Sequence, residues 1–88
     1  MAEISVVKID ENTYQVTVVA GSTTTHEVNV QAVYAHKLTG EKISTTELVK
    51  KSFEFLLQRE SNNSILRRFD LSVIGHYFPE FERVMQNN

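Results

Sequence analysis

The stretch TYQVTVVA, residues 13–20, decides the fold, because its side chains alternate at the period of a β-strand. Tyr14, Val16, Val18 and Ala20 share one face, opposite Gln15, Thr17 and Val19. Upstream, Ile4, Val6 and Lys8 point one way while Ser5, Val7 and Ile9 point the other. The polar break Asp10-Glu11-Asn12 between the two runs suits a short hairpin loop, since Asn tolerates a left-handed backbone. Downstream, Gly21-Ser22-Thr23 supplies another turn, and Thr25 to Val30 alternates again, gathering His26, Val28 and Val30. These runs predict a three-stranded antiparallel β-meander over about 3–9, 13–20 and 24–30, with the middle run at its centre. One face is apolar and the other largely Thr, Gln, Glu and Asn, so the sheet needs a cover on one side.

The second half supplies that cover. Residues 31–38 carry Val33, Tyr34 and Leu38 and stop at Gly40, as a short helix does. Ser44 with Glu47 three residues later forms a capping-box pattern, which predicts a long helix over about 45–59. At 100° per residue, Leu48, Val49, Phe53, Phe55, Leu56 and Leu57 fill an arc of about 200°, wide enough to touch the sheet and further helices. Glu47–Lys51 and Lys50–Glu54 stand four apart on the opposite side. Ser61-Asn62-Asn63-Ser64 breaks the helix, and three shorter helical segments are expected over about 64–69, 71–77 and 79–86. Asp70 is placed to cap the second of these; Gly75 and Pro79 bound it, and Pro79 suits the first turn of the third. The fold class is therefore α+β, with the meander covered on one face by helices.

Composition limits the function. The 88 residues are 41% hydrophobic and 23% charged, the balance of a folded chain. That length predicts a single domain over 1–88. No apolar run is long enough to span a bilayer, and Glu3, Lys8 and Asp10 interrupt any signal-peptide core, so a cytoplasmic location is expected. The absence of cysteine excludes disulfides, thiolate catalysis and cysteine-ligated metals. Residues 1–44 carry a net charge of −2 and residues 45–88 none, which gives no general pull toward nucleic acid.

The segment SFEFLLQRESNNSILRRFDLSVIGHYFPEFE, Ser52 to Glu82, resembles a family of short uncharacterised bacterial proteins. Phe55-Leu56-Leu57, Arg59-Glu60, Phe69-Asp70-Leu71 and Tyr77-Phe78-Pro79-Glu80 recur there in order, and HEVNV at 26–30 and KLTG at 37–40 also fit. The resemblance implies a stand-alone bacterial domain and brings no activity, cofactor or partner with it.

Candidate chemistry is sparse. His26, His36 and His76 show no paired spacing of the kind metal sites use, so no metal or cofactor is expected. The three glycines build no nucleophile elbow or phosphate loop, so no catalytic residue is assigned. Arg67-Arg68 beside Phe69 could meet single-stranded nucleic acid, but Glu60 and Asp70 flank the pair and favour local ion pairing. Arg59 and Glu60 project into the apolar arc of the long helix and are either structural or part of a polar site. Tyr77, Phe78 and Phe81 crowd around the lone proline; most of that aromatic surface belongs in the core, and any residue left exposed would anchor a partner. The leading expectation is a non-catalytic interaction or accessory domain using Arg67, Arg68, Tyr77, Phe78 and Phe81 toward a protein or a second copy of itself. The competing one is a small-ligand or catalytic domain built on histidine and carboxylates.

Overall fold

The computed structural model describes residues 2–87. The expected meander forms with boundaries shifted by about one residue: β1 is Glu3–Lys8, β2 Thr13–Val19 and β3 Thr23–Asn29. β1 pairs antiparallel with β2 and β2 with β3, in a register that sets Val6 against Val16 and Val16 against His26. Tyr14, Val16, Val18, Thr24, His26 and Val28 are buried on one face, while Gln15, Val19, Thr25 and Asn29 are exposed on the other.

The sheet has four strands, not three, in the order β1-β2-β3-β4. The helical turn expected over 64–69 is absent. Asn62–Ser64 make one 3₁₀ turn, Ile65 is extended (φ −76°, ψ 135°), and Arg68–Asp70 form β4, parallel to β3. Pairing with β3 overrides the local helical pattern, because it occupies that strand's open edge. The Glu27 N–H donates to the Arg67 carbonyl at 2.8 Å, and the Leu71 N–H donates to the Asn29 carbonyl at 2.9 Å. It also turns Phe69 inward, 6.1 Å from the ring of Phe53.

Among the described residues, four α-helices form the cover. α1, Ala32–Thr39, ends on Gly40 in the left-handed region (φ 59°), whose N–H bonds the His36 carbonyl at 2.8 Å. α2, Thr45–Leu57, starts at Ser44, whose hydroxyl accepts the Glu47 N–H at 3.1 Å. It packs chiefly on β1, burying Leu48, Val49, Phe53, Phe55 and Leu56. α2 stops two residues earlier than expected, so Arg59 and Glu60 lie in the turn beyond it. α3, Val73–Tyr77, is shorter than the expected 71–77: the Asp70 carboxylate accepts the Ser72 N–H (3.0 Å) and hydroxyl (2.8 Å) and holds a turn ahead of the helix. Gly75 lies within α3, and the helix ends at Phe78, which Pro79 biases to an extended backbone (φ −130°). Pro79 falls in the turn before α4, Phe81–Gln86.

Candidate functional site

The five residues expected to form one surface lie in three different places. Phe81 is fully buried, in edge-to-face contact with Phe55 at 5.3 Å, so it belongs to the core and is removed from any docking surface. Arg67 and Arg68 line a shallow depression on the open face of the sheet with Gln15, Thr25 and Glu27, and Arg68 pairs with Glu27 at 3.5 Å. Tyr77 and Phe78 face away from it, into a groove between the end of α2, the 62–66 segment, β4 and α3.

That groove has a volume of about 360 Å³. Leu56, Ile65, Phe69 and Ile74 are buried residues at its base, and Phe78 is half-buried. Two of its large apolar side chains stand open to solvent, Tyr77 at 69% and Leu66 at 48%. Glu60 and Ser64 supply its polar wall. Glu60 lies three residues past the end of α2, where its N–H bonds the Leu56 carbonyl at 2.9 Å and the negative pole of the helix is close by. Among the described residues, no ion pair or hydrogen bond engages its carboxylate.

Two clusters hold the walls. Phe55 packs edge-on against Phe78 at 5.9 Å, and the Arg59 guanidinium lies 3.6 Å above the Phe55 ring. Arg59 also donates from Nη1 to the Phe55 carbonyl at 3.0 Å and from Nε to Glu80 at 3.3 Å. Its role is therefore to tie the end of α2 to the start of α4. The Arg59-Glu60 pair divides: one residue is structural and the other faces the groove.

The opposite wall hangs on His26. This side chain is 1% exposed and both ring nitrogens are used: Nδ1 meets the Leu66 carbonyl at 2.8 Å and Nε2 meets the Thr24 hydroxyl at 2.8 Å. Only an N–H can serve a carbonyl, so Nδ1 carries a proton and donates to Leu66; in the neutral ring, the form that burial favours, Nε2 accepts from the Thr24 hydroxyl. Thr24 in turn accepts from Asn62 Nδ2 at 3.0 Å, and Asn62 reaches the Ser22 carbonyl at 3.1 Å. Every polar atom of this buried chain is satisfied. Burial holds the His26 pKa below its ordinary value, with Arg67 acting the same way and the Leu66 carbonyl opposing.

The remaining histidines lie apart from the groove, His36 in an open depression with Thr39, Glu41, Ser44 and Glu47. His36 and His76 are exposed; the first lies 3.6 Å from Glu41. Among the described residues, no three His, Asp or Glu side chains converge on a metal position. At the far side, the Tyr34 hydroxyl donates to Glu82 at 2.8 Å and Lys37 pairs with the same carboxylate at 3.3 Å. Burial and that hydrogen bond raise the Tyr34 pKa, and the Tyr34 and Lys37 contacts lower that of Glu82. This network fastens α4 to α1 and leaves no free base. Sequence reasoning singled out Glu60, with Arg59, as structural or part of a polar site, but missed Leu66 and Ile65 as groove residues, because their convergence depends on β4. No family model, curated protein or solved structure matches the chain.

Proposed function

We propose that this protein is a non-catalytic interaction domain whose groove seats an apolar side chain of a protein partner, with a Lys or Arg beside it. The observation that carries this reading is the open apolar groove in which Tyr77 and Leu66 are exposed around a buried base. An exposed aromatic over a preformed apolar cleft is the kind of anchor that dominates binding energy at protein interfaces. The occupant's charge follows from Glu60, an unpaired carboxylate on the wall just past a helix C-terminus. The histidine-based alternative has less support, since both ring nitrogens of His26 are bonded, and in the open depression that His36 lines, the Thr39 hydroxyl donates to the Ala35 carbonyl and the Ser44 hydroxyl caps α2.

Selection from a displayed random-peptide library tests the reading, with the Leu66→Ser/Tyr77→Ala variant used for counter-selection. The expected result is a consensus of one large apolar residue flanked by Lys or Arg, and Glu60→Gln should erase the basic preference alone. Failure to enrich any consensus overturns the proposal, as does enrichment of peptides that bind the double variant equally well.

A further inference from the structure

We infer that the free edge of β1 pairs antiparallel with β1 of a second copy, centred on Val6, making one continuous eight-stranded sheet. The hydrogen-bond parity of the strand comes first. The Ile9 N–H bonds the Thr13 carbonyl at 3.0 Å, so odd-numbered residues of this segment turn their backbone groups toward β2. Ile4, Val6 and Lys8 therefore direct theirs to the outside, where no hydrogen bond among the described residues engages them. Three residues with unpaired backbone along a six-residue strand make a long edge, and nothing within the strand blunts it. It has no proline and no bulge, and its only charges are at its ends, Glu3 and Lys8.

The edge is self-complementary in one respect that decides the partner. Residues facing each other across an antiparallel pair lie on the same sheet face. A two-fold axis through Val6 pairs Ile4 with Lys8 of the second copy and Val6 with its own equivalent. All of these are outward-bonding residues, so three pairs form, each exchanging two hydrogen bonds. On the helix-covered face the pairing extends Val16 and Val6 into a continuous row with Val6 and Val16 of the second copy. Ile4 and Val6, only half-buried at present, become covered. Lys8 lays its aliphatic stem along Ile4 of the second copy and keeps its ammonium in water. On the open face Ser5 meets Val7 of the second copy, and Ile9, 51% exposed, comes beside Glu3. A strand of another protein would share the backbone bonds but would complete the valine row only with an apolar residue opposite Val6. The inference is independent of the groove, which lies at the opposite edge of the sheet near β4.

Sedimentation equilibrium joined to amide exchange tests it. The wild type should be a reversible dimer in which the amides of Ile4, Val6 and Lys8 exchange slowly, and slower as concentration rises. The double variant Ser5→Lys/Val7→Lys changes two exposed residues and sets lysine directly opposite lysine in both symmetry-related pairs. It should weaken dimerisation by about tenfold or more while circular dichroism and melting stay those of the wild type. Thr25→Lys, on the same face but away from the edge, should leave the dimer intact, as should Leu66→Ser/Tyr77→Ala. A monomeric wild type up to millimolar concentration would overturn the inference, and so would a dimer whose Ile4, Val6 and Lys8 amides exchange freely. Loss of the dimer in the groove variant contradicts it as well.

Discussion

His26 is the residue whose chemistry reaches furthest. It sits in a β-strand at a position that alternation assigns to the apolar face, and it is accepted there because Thr24, Asn62 and the Leu66 carbonyl complete its bonds. The neutral ring thereby fixes the backbone of Leu66, one wall of the groove. Its pKa in the folded chain is lowered from 6.5, chiefly by burial. The unfolded chain takes up a proton as pH falls through about 6.5, and the folded chain does so only at lower pH. Stability is therefore full above that value, declines as pH falls through it, and levels off below the folded pKa. Urea midpoints measured from pH 7.5 to 5 should show this decline in the wild type, and a His26→Gln variant should show a clearly smaller one. Equal slopes in the two proteins would remove His26 as the cause. The Glu82 contribution has the same sign but is lost only below its ordinary pKa of 4.5, outside that range.

At the scale of elements, local signals were legible wherever the element is held by its own sequence. The meander boundaries follow from alternation, the start of α2 from Ser44 and Glu47, and the end of α1 from Gly40. β4 was not legible, because three residues carry no periodicity and Arg68–Asp70 become a strand only by pairing with residues about forty positions earlier. The groove shared that fate. Glu60, Ile65, Leu66 and Phe69 come together only once β4 places the 62–66 segment beside α3. Phe81 shows the reverse: three aromatics in five residues point to a core, but not to which of them stays outside. Tyr77 does, because α3 ends there and turns it away, whereas Phe81 opens α4 and enters the Phe55 cluster.

The junction of α2 and α4 depends on one side chain with a fixed planar shape. The Arg59 guanidinium stacks on Phe55 while bonding the Phe55 carbonyl and Glu80, which a lysine ammonium cannot reproduce. Arg59→Lys should lower the unfolding free energy by about 1 kcal/mol despite conserving charge. Chemical denaturation checks this, and an unchanged midpoint would mean that only the charge matters.

Across the whole molecule, the two unsatisfied features lie at opposite edges of one sheet. β1 leaves backbone groups and half-covered Ile4 and Val6 at one edge, and the α2–β4–α3 groove leaves Tyr77 and Leu66 open at the other. Among the described residues, every buried side-chain polar atom has a hydrogen-bond partner, so neither open feature comes from an unsatisfied polar core. A dimer formed through β1 would carry two grooves, so partner binding and self-association would use different residues. The most direct measurement is calorimetric titration of a library-selected peptide, apolar anchor beside a basic residue, into wild type, Tyr77→Ala and Ser5→Lys/Val7→Lys. Affinity should fall by about tenfold or more in Tyr77→Ala and stay unchanged in the edge variant. Equal affinity for wild type and Tyr77→Ala would contradict the groove as the binding site.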